Sequence, residues 1–188
     1  ASNESPYGPS RNVLDAISAI DKLQLYPDQY QLIQELARHH DVDADQIILG
    51  NGSNDILDLI ARVYLDEDSE AIAYDHSFLV YKLASCATGA RFVETRARDY
   101  GYDLDEMLRA VNEKTRVIWI DNPNNPTGTF IDHEKIRDFL TKVPMGVLVV
   151  LDEAYWDYLP DNLRTDTIRL TEEFPNLIIT RTFSKIHG

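Results

Sequence analysis

Cysteine is almost missing from this sequence. Cys86 stands alone, so no disulfide can form within the chain, and a reducing compartment is compatible with it. Cys86 itself reads as a small, buried, apolar residue on a helix. Positive charge is also scarce: 18 lysines and arginines face 32 aspartates and glutamates, a net charge of −14. That balance argues against a nucleic-acid surface and favours solubility. No apolar run approaches the roughly 20 residues of a bilayer-spanning helix, and no signal peptide is visible. His39, His40, His76, His133 and His187 show no metal-ligand spacing, so no metal is expected. The GxGxxG and P-loop patterns of nucleotide-binding α/β domains are missing too.

What remains is ordinary for a globular chain. The 188 residues, 44% of them hydrophobic, suffice for one sizeable domain with a full core. Residues 1–10 are polar and rich in Pro and Gly and read as an extended arm. Residues 11–22 carry Val13, Leu14, Ile17 and Ile20 at helical spacing. Asp28 is a candidate N-cap for a helix bearing Leu32, Ile33, Leu36 and Ala37, with His39 and His40 as favourable charges at its C-terminal end. Strand-like runs then fall at 46–49, 70–74, 90–94, 116–120, 147–151 and 177–180. Helix-like runs lie between them at 54–65, 77–88, 103–112, 132–141 and near 166–172. This alternation predicts an α/β fold, a mostly parallel sheet with helices on both faces.

Three polar clusters each follow a strand-like run: Asp121-Asn122-Pro123-Asn124-Asn125-Pro126-Thr127-Gly128, Asp152-Glu153-Ala154-Tyr155, and Thr182-Phe183-Ser184-Lys185. Open parallel sheets bind ligands outside the carboxyl ends of their strands. Asn125 sits on a loop stiffened by two prolines, with Gly128 permitting a left-handed turn. Asp152 ends a five-residue apolar run, so its carboxylate needs a cationic or donor partner, and a protonated pyridine nitrogen is one. Lys185, in a confined site, would be a nucleophile toward carbonyls. A fourth cluster, Gly50-Asn51-Gly52-Ser53-Asn54-Asp55, opens a helix whose N-terminus can receive an anion. Phe78 could stack on a flat ring. Each feature also has a plainer reading: a capped turn, a rigid loop, a helix cap with a core tyrosine, a surface lysine, a core phenylalanine. What favours the chemical reading is that the four polar clusters share the strand ends of one predicted sheet.

Together with Asn3-Glu4-Ser5-Pro6-Tyr7-Gly8-Pro9, Tyr26-Pro27-Asp28 and Arg181-Thr182-Phe183-Ser184-Lys185, these clusters resemble the histidinol-phosphate aminotransferases. Those are fold-type-I, class-II enzymes dependent on pyridoxal 5'-phosphate. The resemblance runs in order over essentially all 188 residues. It implies transamination of L-histidinol phosphate with 2-oxoglutarate to imidazole-acetol phosphate and glutamate, in histidine biosynthesis. It implies that Lys185 binds the cofactor covalently and shuttles the proton, and that Asp152 pairs with the ring nitrogen. Tyr155 and Asn125 would bond the ring oxygen, and Phe78 would stack on the ring. Gly52, Ser53, Asn54, Thr182 and Ser184 would hold the phosphate. Tyr26 would reach the cofactor of a second subunit, and Asn3 and Tyr7 would lie near the substrate. A cytoplasmic homodimer acting on small amino and keto acids and a phosphorylated amine follows from the same resemblance, without nucleic-acid or membrane partners.

The resemblance also implies that residues 1–10 are an arm and 11–188 an incomplete cofactor-binding large domain. A small C-terminal domain with substrate-binding arginines would then be absent from this chain, leaving it inactive alone. Related readings are an aromatic-amino-acid aminotransferase, a threonine-phosphate decarboxylase, and a truncated non-catalytic domain of the same fold.

Overall fold

The computed structural model describes residues 3–188; the first two residues of the expected arm lie outside the described residues. Five of the apolar runs become strands: β1 (Glu70–Tyr74), β2 (Arg91–Thr95), β3 (Thr115–Asp121), β4 (Leu148–Asp152) and β5 (Leu177–Thr180). All pair in parallel, in the order β2-β1-β3-β4-β5. The helices are α1 (Arg11–Ser18), α2 (Tyr30–His40), α3 (Ser53–Tyr64), α4 (Leu79–Ala87), α5 (Leu104–Ala110), α6 (His133–Lys142) and α7 (Leu170–Glu173).

Strand order and handedness together decide where the helices go. Parallel crossovers are right-handed. The chain steps one way from β1 to β2 through α4, then the other way through α5, α6 and α7. Helix α4 must therefore cover one face and α5–α7 the other. The two cores follow this rule. Leu57 and Ile60 of α3 and Tyr81 and Ala84 of α4 pack on Ala71, Val117, Trp119 and Val150. Met107, Ile136, Phe139 and Leu170 pack on Ile72, Ile118, Val149 and Leu151. Alternate residues of each strand face alternate cores, which is why β1, β3 and β4 are apolar along almost their whole length. Trp119 is fully buried, stacked on Tyr81 with centroids 5.3 Å apart, and its Nε1 donates to Ser85 Oγ at 3.2 Å. Burying a ring of this kind contributes about 1.5–3 kcal/mol. The stepping direction reverses between β1 and β3, and a crevice is expected at the carboxyl ends beside that point.

Several expectations are corrected. Residues 46–49 form no strand: a 3₁₀ turn at Ala44–Gln46 runs into extended chain, and Ile48 is exposed. The run has strand-like residues, but it pairs with neither edge of the sheet, β2 or β5. The helix expected over 11–22 ends at Ser18. Cys86 is exposed on α4, not buried, because Ala84 and Ser85 take the inward positions there. Phe78 precedes α4 instead of lying inside it. His40 does end α2, but burial, and then the nearby Arg181 charge, lowers its proton affinity. Both effects oppose the charge that would favour the helix dipole. Asp28 is not the N-cap of α2: Gln29 holds that position without a side-chain cap, and Asp28, one residue earlier, accepts the Tyr30 N–H at its Oδ1 at 2.9 Å.

Candidate active site

The strand register builds the centre of the site. Asp121 of β3 is paired with Asp152 of β4, and Asp152 with Thr180 of β5. These residues therefore lie side by side at the carboxyl ends, on the face covered by α3 and α4. Asp152 is buried. Its Oδ2 accepts the Tyr81 hydroxyl at 2.9 Å, and its Oδ1 accepts Thr180 Oγ1 at 3.0 Å and the Ala154 N–H at 3.2 Å. All three donors are uncharged. Burial raises the proton affinity of Asp152, and these donors together with the Lys185 charge pull it back. The arrangement leaves a desolvated carboxylate suited to a cationic partner.

Strand alternation sends Glu153 to the opposite face. There its Oε2 accepts Arg181 Nε and Nη2 at 2.9 and 2.8 Å, and its Oε1 accepts Thr167 Oγ1 at 2.6 Å. The Arg181 guanidinium also lies 4.2 Å from the Trp156 ring centroid. With the Glu153 N–H donating to the Thr180 carbonyl at 2.8 Å, this pair of a buried carboxylate and a partly buried guanidinium fixes the start of the Thr182–Lys185 segment. Neighbouring carboxylates thus differ in situation. Glu153 is ion-paired with Arg181, whereas the hydrogen bonds to Asp152 named above come from neutral donors, with the Lys185 charge also acting on it.

The loop after β3 folds back on itself. The Asn125 N–H donates to Asp121 Oδ2 at 2.8 Å, and Asn124 Nδ2 donates to Asp121 Oδ1 at 2.9 Å. Asn124 Oδ1 in turn accepts the Thr127 N–H and hydroxyl at 2.9 and 2.6 Å. Gly128 takes φ +72°, a left-handed conformation that glycine adopts without strain. The loop presents Asn125 Nδ2 to the Tyr155 hydroxyl at 3.4 Å. Asn3 Nδ2 donates to the same hydroxyl at 2.9 Å, and Lys185 Nζ lies 5.9 Å from the Tyr155 ring centroid. Asn3, Asn125, Tyr155 and Lys185 thus converge, although they are far apart in sequence.

The other expected residues are placed more loosely. Thr182 Oγ1 and Ser184 Oγ lie 2.9 Å apart. Gly52, with φ +76°, turns the chain into α3 and supplies no side-chain cap, so the first-turn N–H groups there remain available to an anion. Among the described residues, no hydrogen bond joins Ser53 or Asn54 to Thr182 or Ser184. Phe78 meets Tyr81 edge-on at 5.7 Å. Tyr7 and Tyr26 are 94% and 98% exposed, and among the described residues no hydrogen bond or ring contact joins either to Tyr155. Sequence reading missed Tyr81, Tyr102, Glu153 and Arg181 as parts of the site. Tyr81 was within reach: β4 alternation puts Asp152 on the face that the right-handed crossover assigns to α4.

Three buried carboxyls of the site should contribute more stability in mild acid than at neutral pH. Burial raises the proton affinity of Asp121, Asp152 and Glu153 alike, that of Asp121 from 3.8 to about 6. A carboxyl whose folded pKa exceeds its unfolded value binds protons more tightly when folded. Its contribution is fully present below the unfolded value and is lost as pH rises through the folded one. Thermal unfolding between pH 4 and about 6 is therefore expected to depend more steeply on pH in the native sequence than in Asp121→Asn. Equal slopes would contradict the raised value.

The model of the family aminotransferase class I and II matches residues 1–188. A histidinol-phosphate aminotransferase from Dechloromonas aromatica is 50% identical over 100% of this chain and 52% of its own length. Another, from Nitrosospira multiformis, is 50% identical over 100% of this chain and 49% of its own. The crystal structure of histidinol-phosphate aminotransferase from Sinorhizobium meliloti in complex with pyridoxal-5'-phosphate superposes with a TM-score of 0.93. That match has 31% identity and covers 99% of this chain and 51% of that one. The chain spans about half the length of the curated relatives it matches.

Proposed function

The chain belongs to the aminotransferase class I and II family, and we propose that it is the cofactor-binding part of a pyridoxal-phosphate-dependent histidinol-phosphate aminotransferase. Residues 11–188 would form that part and residues 1–10 an arm. The observation that carries the reading is the buried Asp152 carboxylate, held by uncharged donors at a strand end beside the lysine-bearing loop.

The residues present fit the cofactor. Asp152 would keep the ring nitrogen protonated by placing a negative charge against it. Asn125 and Tyr155 already meet each other and would donate to the ring oxygen. Phe78 would lie against the ring. The uncapped start of α3 at Gly52, Ser53 and Asn54, with the hydroxyls of Thr182 and Ser184, would bind the phosphate. When bound, the cofactor supplies an electron sink for the carbanion left when a Cα proton departs. Lys185 would hold the cofactor covalently, yield it to the incoming amine, and take the proton from substrate Cα as general base.

Tyr7 and Tyr26 would act at a shared site in a homodimer. This is supported by the apolar residues exposed along the N-terminal stretch: Val13, Leu14, Ile17, Ile20, Leu23 and Leu25. No residue of α1 is buried, so its apolar side needs a covering surface. Sedimentation of the whole protein as a monomer would rule this out. A cytoplasmic location suits the charged metabolites proposed as substrates, and recovery in the extracellular fraction would contradict it. Among the described residues, no helix is long and apolar enough to cross a membrane.

The test of substrate uses the whole protein with L-histidinol phosphate, phenylalanine and threonine phosphate, each with 2-oxoglutarate. Glutamate should form fastest with histidinol phosphate. Preference for phenylalanine, or carbon dioxide release from threonine phosphate, would overturn the assignment.

A further inference from the structure

Asp121 is a buried carboxylate to which the reaction above gives no role. It is 3% exposed and fully engaged. Oδ2 accepts the Asn125 N–H at 2.8 Å, and Oδ1 accepts both Asn124 Nδ2 at 2.9 Å and the Tyr102 hydroxyl. The Tyr102 oxygen accepts the Asp121 N–H at 2.9 Å in return, and Asn124 Nδ2 also reaches the His76 carbonyl at 3.3 Å. One carboxylate therefore ties the loop after β3 to the segment after β1 and to Tyr102, which precedes α5. This junction spans the point where the sheet reverses its stepping direction. The residue it holds most directly is Asn125, whose side chain meets Tyr155.

We propose that Asp121 is a positioning residue of the cofactor site, fixing Asn125 against Tyr155 through its Oδ2 contact with the Asn125 main chain. The inference rests on the cofactor reading above. A second carboxylate placed beside Asp152 costs stability, since burial and the Asp152 charge both raise its proton affinity. An aliphatic side chain would avoid that cost but would leave the Asn125 N–H without its acceptor and the Asn124 amide with only the His76 carbonyl.

Asp121→Asn is the informative substitution because it keeps size and shape. In one orientation its amide NH₂ faces the Asn125 N–H; flipped, it faces Asn124 Nδ2. Either way two donors oppose each other and the loop must shift. Tyr102→Phe removes the hydroxyl that donates to Oδ1 and accepts the Asp121 N–H, and it leaves the Oδ2 contact to the Asn125 main chain in place.

The experiment measures pyridoxal-phosphate affinity by quenching of intrinsic fluorescence, and the visible absorption spectrum, in the whole protein. Four forms are compared: native, Asp121→Asn, Asn125→Ala and the double variant, with Tyr102→Phe alongside. Asp121→Asn should weaken affinity roughly tenfold or more and shift the visible band, and Tyr102→Phe should change affinity by less than about threefold. In the Asn125→Ala background, Asp121→Asn should add less than about twofold, because the two act through one contact. Additive losses, or an Asp121→Asn variant with native affinity and spectrum, overturn the positioning role. An Asp121→Asn protein that melts earlier but keeps the native spectrum overturns it as well. A native protein that binds no pyridoxal phosphate overturns the cofactor reading, and this inference with it.

Discussion

Lys185→Ala in the whole protein is expected to abolish covalent attachment of pyridoxal phosphate and to lower the proposed turnover by at least about a thousandfold. Two losses combine. The amine that would bond the cofactor is gone, and so is the base that would take the Cα proton, a function that by itself is worth about 10²–10⁴-fold. The fold should survive. Lys185 lies in a turn after β5 and is only partly buried, while the segment's anchor is the Arg181–Glu153 pair on the other face. The measurement is the visible band of lysine-bound cofactor together with single-turnover kinetics. The variant should still bind cofactor reversibly through the remaining contacts. Retained turnover would remove Lys185 from its proposed role.

Asp152→Asn should leave cofactor binding detectable and slow the reaction by about 10²–10³-fold, the scale of losing one preorganised electrostatic contact. The geometry can accommodate the amide. Its oxygen still accepts from Thr180 and Ala154, and its NH₂ can donate to the Tyr81 hydroxyl, which then serves as acceptor. What is lost is the negative charge. The effect should therefore appear in kcat more than in KM, and the bound cofactor's spectrum should report a ring nitrogen that deprotonates more easily. Native kcat in Asp152→Asn would refute the charge-partner role. Tyr81→Phe is the complementary case: it removes a donor to a charge that remains, so its loss should be smaller.

The sheet was legible in the sequence because buried parallel strands leave a distinctive trace. Val147–Leu151 and Val117–Ile120 are continuous apolar runs bounded by polar turns, and both are strands. Residues 46–49 carry the same local signal and form none, since a strand needs a neighbour to supply its ladder and local pattern does not report neighbours. Cys86 was misplaced for a similar reason, since which side of α4 faces inward depends on packing as well as composition.

In the candidate site, polar residues at strand ends were readable and their partners were not. Asp152, Asn125, Tyr155 and Lys185 announce themselves by position after apolar runs. Tyr81 lies 71 residues from Asp152 and looks like any core tyrosine on an amphipathic helix. Tyr102, beside Asp121, is as inconspicuous. Glu153 could have been separated from Asp152 by strand alternation alone, which sends consecutive carboxylates to opposite faces. Arg181 as its partner is a consequence of register between β4 and β5, which emerges only on folding.

The central claim is that Lys185 carries pyridoxal phosphate. Borohydride reduction of the cofactor-loaded whole protein, followed by proteolysis and mass mapping, tests it most directly. A phosphopyridoxyl adduct on the peptide containing Lys185, and none on that peptide in Lys185→Ala, is the predicted result. A native protein that yields no adduct, or an adduct confined to another lysine, would contradict it.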